Sequence, residues 1–299
     1  MKRFGALQVL PVRSPFRLDL TVDALRRLAS NVVDVVASDG TYYRALRDDG
    51  GSALLAIRPH NARAIEMRAT GRHGERWLPV VEKMLGAEAD LSQWYVRSRR
   101  IGWLARLTAA LRGLKPPRYP SLWEACAHAI VFQQISIHAA AAIMRRAVEM
   151  LGEPETAGNV RCVAFPPAQR WLEADGEALR AAGLSQNKIT HLRSAAHAVV
   201  DGRLDARALE QLPTPEAAAQ LCTVRGIGPW SASVVLLRGL GRLDVFPLRD
   251  SGVARTLVSA AGGPVDQDEL LDALGPVKGM LYYHLLLGRI RNLMQHSHG

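Results

Sequence analysis

Asp250 stands in the run VFPLRDSGVAR (245–255), after an apolar stretch with a proline and before Ser251 and Gly252. An acid in that setting opens a helix, where the dipole and the free N–H groups keep a carboxylate ionised. Fixed about 4 Å from a developing cation at an effective dielectric near 20, such a charge contributes about 4 kcal/mol, on the order of 10³ in rate. Upstream, LCTVRGIGPWSASV (221–234) places Gly226 and Gly228 one residue apart within an apolar helical pattern. Paired glycines allow positive φ and close backbone approach, so this segment reads as helix, tight turn, helix. Pro229 suits the first turn of the second helix, where its missing N–H is not needed. The backbone at Gly226, Ile227, Gly228 and Ser231 would then seat a phosphate, with Arg225 and Arg249 as further phosphate contacts or plain solvated residues. A glycine-capped αα-hairpin and an ordinary N-cap aspartate account for the same residues. Asp244, nearer the hairpin, reads as a turn cap.

These groups need elements to hold them, and from about residue 90 the pattern is helical almost throughout. Ser121 with Glu124 is a capping-box signature that starts the helix LWEACAHAIVFQ, and Ser136 can cap IHAAAAIMRRAVEMLG. Gln133, Gln134 and Ile135 therefore lie at a joint between two helices. Further helices are expected over LSQNKITHLRSAAHAVVDG, TPEAAAQLCTV, DSGVARTLVSAAG, DQDELLDALG and KGMLYYHLLLGRIRNL, with Tyr282 and Tyr283 on the last as core residues. The beginning of the chain reads differently. LQVLPV, FRLDLTV, NVVDVVAS, TYYRALRDD, SALLAIRP and AIEMRATG have strand character, broken by turn signals at Asp39-Gly40 and Asp49-Gly50-Gly51. DALRRLAS and ERWLPVVEKMLG read as short helices. The expected class is mainly α with an N-terminal α+β antiparallel-sheet domain over 1–88, followed by a helical region over 89–299.

Composition narrows the partners. The chain has 299 residues and a formal net charge of +10, a balance that suits a polyanion because neutralising phosphates releases condensed counterions. Arginine-rich composition bias gives the same sign. Three dispersed cysteines, Cys126, Cys162 and Cys222, argue for a reducing compartment and against a disulfide framework. No Cys or His cluster has metal-site spacing, so no cofactor is expected from the residues. The opening MKRFGALQVLPVRSPF lacks a sustained apolar core, and no apolar run is long enough to span a bilayer. A cytoplasmic, nucleoid-associated monomer with no membrane contact is expected.

The pattern Val224-x-Gly226-Ile227-Gly228-x-Trp230-Ser231-Ala232, with Asp250 downstream, resembles the helix-hairpin-helix DNA glycosylase superfamily, and within it the bacterial 3-methyladenine DNA glycosylase II type. FQQIS after SLWEACAHAIV, the segment FPPAQRWLEADGEALRAAGLSQNKITHLRSAA and the run DVFPLRDSGVAR resemble that family's motifs in the same order. TYYRAL resembles part of the small sheet domain that this type carries. The resemblance implies a two-lobed helical core, with a central lobe over about 119–242 that contains the hairpin and a second lobe from 89–118 plus 243–299. It implies base excision repair on double-stranded DNA containing damaged bases. The enzyme would flip an alkylated purine, 3-methyladenine first and 7-methylguanine as a further candidate, and hydrolyse its N-glycosidic bond.

Asp250 would be the catalytic residue, stabilising the sugar cation or activating water. Trp230 falls where strand-cutting relatives have a nucleophilic lysine, which implies a monofunctional enzyme without lyase activity. Its indole would stack on a cationic base, and Gln133 would join it in the base pocket. Gln134 would fill the vacated stack and departs from the family's apolar residue there. Val234 and Leu286 fall where the type has aromatics. Backbone carbonyls of Cys222, Val224 and Ile227 would hold a structural Na+ or K+ that bridges to DNA phosphate. Two alternatives stay open: the same fold acting on oxidised or deaminated bases, and a non-catalytic helix-hairpin-helix module that grips duplex phosphates.

Overall fold

The computed structural model describes residues 3–48 and 51–295. The turn expected at Asp49-Gly50 and the tail histidines His296 and His298 lie outside the described residues. The chain opens with β1 (Gln8–Pro11), α1 (Leu18–Arg26), β2 (Asp34–Val36), β3 (Tyr42–Asp48), β4 (Gly51–Asn61), β5 (Ala64–Ala69) and α2 (Leu78–Leu85). The strands form one antiparallel sheet in the order β1-β5-β4-β3-β2, with Tyr42 opposite Ile57 and Ile57 opposite Met67. FRLDLTV, expected to be strand-like, is instead the first turns of α1. Leu18, Val22 and Leu25 recur at helical spacing and enter one buried cluster, while Leu20 and Ala24 enter another. A two-residue period cannot divide the apolar positions that way.

Helices dominate the rest. α3 (Ser92–Ser98), α4 (Gly102–Ala110), α5 (Leu122–Val131) and α6 (Ile137–Leu151) come first. A hairpin of β6 (Glu153–Ala157) and β7 (Val160–Ala164) interrupts them. The helical expectation missed this hairpin although Gly158-Asn159 is a two-residue turn signal. Gly158 has φ 59°, and Cys162 and Ala164 pack on Ala45 and Leu54 of the sheet. There follow α7 (Ala168–Glu173), α8 (Gly176–Ala181), α9 (Gln186–Val200), α10 (Ala206–Gln211), α11 (Thr214–Cys222), α12 (Pro229–Arg238), α13 (Ser251–Ala261), α14 (Gln267–Leu274) and α15 (Gly279–Gln295).

Two buried clusters organise these elements. One runs from Leu55, Ile57 and Met67 of the sheet through Met84 of α2 to Ile130, Leu192 and Val235 of α5, α9 and α12. The other joins Leu20 and Ala24 of α1 to Trp94, Leu104, Val253, Leu257 and Leu281. Phe132, just past α5, packs against both. Every residue of α5 is buried. Ser121 caps it as expected, its Oγ accepting from Glu124 N–H at 3.1 Å. The reciprocal half of the capping box does not form, because the Glu124 carboxylate binds Arg44 of β3 instead, at 2.6 and 2.7 Å. Among the described residues no helix is long and apolar enough to cross a membrane.

Candidate active site

A cleft of about 700 Å³ opens where three chain reversals meet: the end of α1, the α5–α6 joint and the turn into α12, with α13 and α15 closing it. Its size falls in the range of small-molecule sites. Each reversal follows from its residues. Ser136 Oγ caps α6 on Ala139 N–H at 3.2 Å. Gly226 takes φ +94°, and a Cβ there would sit 2.4 Å from the Cβ and Cγ of His191 on α9, so both backbone and packing demand glycine. Gly228 has an ordinary extended φ of −92° and open space where a Cβ would be. α12 then begins at Pro229, as the residue order leads one to expect.

Asp250 caps α13 through one oxygen. Its Oδ1 accepts from the N–H of Gly252 at 2.9 Å and of Val253 at 3.0 Å, and the half-buried residue lines the cleft. The Arg289 guanidinium of α15 lies against Gly252, where a Cβ would approach Nη1 to 1.8 Å, so a larger residue there would push Arg289 out of the cleft wall. Trp230, half-buried, also lines the cleft, and its Nε1–H is buried without an acceptor among the described residues.

The α5–α6 joint is tied down from two sides. Gln133 Nε2 donates to Gly226 O at 2.9 Å and to Ser231 Oγ at 2.6 Å, locking the joint to the hairpin. Lys188 of α9 donates from Nζ to the carbonyls of Ile130 at 3.3 Å, Val131, and Gln133 at 2.9 Å. These bonds use the carbonyls that the end of α5 leaves free. Gln134, exposed at the tip, takes φ 57°. Among the described residues four non-glycines have positive φ, and three of them, Arg27, Gln134 and Arg249, line this one cleft. Backbone strain concentrated in one place is a mark of a functional site.

Several expected roles change. Ser231, expected as a DNA contact, is 1% exposed and its Oγ accepts from Gln133, so it holds the joint to the hairpin instead of facing a phosphate. The Gln133 amide donors are used within the protein, which leaves its oxygen for the cleft. Ile227 and Val224 bury their side chains and can meet a ligand only through the backbone. Val224 O accepts from Ile227 N–H at 3.0 Å, while the carbonyls of Cys222 and Ile227 accept no hydrogen bond among the described residues. Tyr282, expected in the core alone, is buried yet lines the cleft; Tyr283 is core, with its hydroxyl 2.9 Å from Pro117 O. Leu286 lines the cleft, and Val234 does not. Arg225 and Arg249 are exposed, as is Cys222. Asp244 accepts from Thr214 Oγ1 at 2.6 Å, a tether between the loop and α11.

Sequence reasoning missed Arg27, Phe132 and Arg289. Arg27 ends α1 with φ 63°, is 7% exposed, and sets its guanidinium carbon 4.1 Å from the Phe132 ring centroid. Burial, with the nearby Arg238 charge, pushes its pKa down. A second arginine in the short run DALRRLAS was the only signal, and a charge in an amphipathic helix ordinarily reads as solvated.

Residues 127–269 match the family model of the HhH-GPD superfamily of base excision DNA repair proteins. The chain is 24% identical over 206 residues to a DNA-3-methyladenine glycosylase of Bacillus subtilis, covering 68% of each chain. It is 33% identical over 150 residues to DNA-3-methyladenine glycosylase 2 of Escherichia coli, covering 48% of this chain and 50% of that protein. The fold superposes on the 3-methyladenine DNA-glycosylase of Archaeoglobus fulgidus with TM-score 0.80 and 24% identity, over 94% of this chain and 98% of the other.

Proposed function

We propose an activity from one premise: the chain belongs to the HhH-GPD superfamily of base excision DNA repair proteins. It is a DNA glycosylase of base excision repair that hydrolyses the N-glycosidic bond of alkylated purines, in the manner of the 3-methyladenine type II enzymes. The observation that carries this reading is Asp250: a carboxylate pinned at a helix start by two N–H groups, on the wall of a cleft that also holds an indole. Fixed this way, the charge needs no rearrangement when a cation develops beside it.

The damaged base would be turned out of the duplex into the cleft, at a cost of a few kcal/mol in unstacking. The C1′–N bond breaks with its electron pair staying on the base, and Asp250 stabilises the sugar cation. Water adds to C1′ and gives its proton to that carboxylate. Trp230 would stack on the base, and Arg225 and Arg249 would contact phosphates beside the N–H groups of the α12 start. No lysine is among the residues lining the cleft, which supports a monofunctional enzyme with no amine to form a Schiff base. Three carbonyls without a carboxylate, those of Cys222, Val224 and Ile227, suit a monovalent cation at the hairpin better than a divalent one.

The test is release of free 3-methyladenine and 7-methylguanine from methylated DNA, identified by chromatography. Asp250→Asn should lower the single-turnover rate on the order of 10³-fold while duplex binding persists. Binding without base release by the unaltered protein would make it a non-catalytic duplex-gripping module. A covalent adduct trapped by borohydride would overturn the monofunctional assignment.

A further inference from the structure

Lys188 stands in the first turn of α9, where a cation works against that helix's own dipole. Its backbone N–H is taken by the Ser185 cap at 3.3 Å, and its side chain leaves α9 altogether. The half-buried Nζ crosses to the end of α5 and donates to the carbonyls of Ile130 at 3.3 Å, Val131, and Gln133 at 2.9 Å. An ammonium has three donors, and these acceptors use them all. Burial pushes its pKa down to about 8, with no carboxylate among the described residues to offset it. The charge therefore serves the negative end of α5, and through it the α5–α6 joint.

His191 lies at i+3 on the same face of α9. Its Cβ and Cγ fill the space that a Cβ on Gly226 would need, 2.4 Å from that point. Burial, then the Arg225 and Lys188 charges, hold its pKa below the ordinary value, so a neutral ring packs on the turn. One face of α9 thus buttresses two of the reversals at the cleft, the joint through Lys188 and the hairpin through His191. Gln133 closes the triangle, its Nε2 donating to Gly226 O at 2.9 Å and to Ser231 Oγ at 2.6 Å. At the tip of the joint Gln134 holds φ 57°, and Ile135 beside it is 38% exposed. A strained tip of this kind persists only where its surroundings over-determine it.

We propose that Lys188 is a positioning residue for base extrusion: by holding the end of α5 to α9, its ammonium sets Gln134 and Ile135 at a fixed spacing from the phosphate seat at the start of α12. The proposal rests on the glycosylase reading above. A duplex held by its phosphates at the hairpin meets the joint tip at the base stack, and extruding a base needs both at once. The amine takes no part in the chemistry, since its three donors are spent inside the protein. Without it the phosphate seat and Asp250 stay in place while the tip withdraws from the gap, and a misplacement of about 1 Å is enough to cost on the order of 10²-fold in rate.

The experiment reads rate, affinity and insertion separately. Single-turnover release of free 3-methyladenine from methylated DNA gives the rate. A duplex with a tetrahydrofuran abasic-site analogue beside 2-aminopurine gives the other two, because its fluorescence rises when the joint enters the gap. Lys188→Met should bind this duplex as tightly as the unaltered protein, fail to raise its fluorescence, and release base roughly 10- to 100-fold more slowly. Lys188→Arg keeps the charge and several donors and should restore most of both signals. Lys188→Gln, with a polar end that cannot reach three carbonyls, gives the same readings should the Met variant be too unstable to assay. Lowered stability with a normal fluorescence rise and a normal rate would overturn the proposal and leave Lys188 a helix cap alone. A loss of duplex affinity as large as the loss of rate would overturn it too. Absence of base release by the unaltered protein would remove the glycosylase reading; the gap duplex reports the joint without it, so the two failures are told apart.

Discussion

Arg44 and Arg27 are both buried arginines, 0% and 7% exposed, and the chain treats them in opposite ways. Arg44, on β3, reaches Asp34 of β2 at 2.6 Å and both oxygens of Glu124 on α5, while Tyr42 donates to the same Asp34 oxygen at 2.6 Å. Burial opposes the Arg44 charge, yet the two carboxylates hold its pKa well above the ordinary value. Burial pushes the Glu124 carboxyl up against the pull of Arg44. Nη2 donates to both oxygens of Glu124 and Nη1 to Asp34, and charge-assisted bonds of this kind favour the ionised groups. Arg238 of α12, also sealed, spends Nη2 on Ala24 O at 2.9 Å and Leu25 O at 3.3 Å and so caps α1. The Arg27 side chain makes no hydrogen bond or ion pair among the described residues, and the carboxylate that favours its charge is Asp250, which lines the same cleft. Arg44 joins the sheet to α5 through carboxylates within the fold, whereas Arg27 sits on the wall of the cleft that also holds Asp250.

The comparison breaks most readily at the junction. Arg44→Met leaves Asp34 and Glu124 buried without their counter-charge, which costs about 3–5 kcal/mol. Denaturant unfolding should show that loss, and single-turnover base release at a temperature where the variant stays folded should match the unaltered protein. Arg27→Met, on the cleft wall, should do the reverse, changing the rate of base release with a smaller change in stability. If the junction variant instead alters the rate of base release, the division between the two arginines is wrong.

Acid supplies the next largest effect, and it falls on two buried histidines. His284 of α15 is 1% exposed, lies with its ring centroid 4.7 Å from that of Trp94 and has Nδ1 2.9 Å from Met280 O; burial pushes its pKa down to about 4. His128, stacked on Tyr119 at 4.2 Å, is pushed well below the ordinary value by burial and then by the Arg27 charge. Both bases are neutral in the fold, so their share of stability is fully present above the ordinary histidine pKa near 6.5 and is lost as pH falls below it. For His284 the loss amounts to about 3 kcal/mol by pH 4. Stability curves from pH 7 to pH 4 should slope accordingly, and His284→Gln should flatten the slope. An unchanged slope in that variant would show that the imidazole is not the group being protonated.

How far the sequence could be read divides along the same line. The hairpin, the joint at Gln133–Ile135, the caps at Ser121 and Ser136 and the acid at 250 were legible, because local rules specify them: glycine for positive φ, proline at a helix start, an oxygen side chain before an apolar run. What escaped depends on contacts distant in the chain. Glu124 leaves its expected capping box for Arg44 on the sheet. Ser231 and the Gln133 amide satisfy one another instead of facing a partner. Arg27 enters the cleft because α1 is a helix wedged between both buried clusters, and its apolar residues, read as alternating, concealed that. The positive φ of Arg27, Gln134 and Arg249 leaves no trace in residue type.

The smallest effect separates cap from cleft. Ser136 caps α6 beside the cleft through Ala139 N–H, and Asp205 caps α10 through Ala208 N–H at 2.7 Å. Asp205 is exposed and is not among the residues lining the cleft, whereas Ser136 is. Replacing either with alanine removes one N-cap acceptor, a cost of about 1 kcal/mol. Ser136→Ala should also lower the rate of base release by several-fold, because the start of α6 fixes one end of the joint that Gln133 and Lys188 tie from the other. Asp205→Ala should lower stability by the same amount and leave the rate alone. Matched stability losses with different rates would assign the rate effect to the joint's position. Equal rates in the two variants would mean that the Gln133 and Lys188 bonds hold the joint without help from the α6 cap.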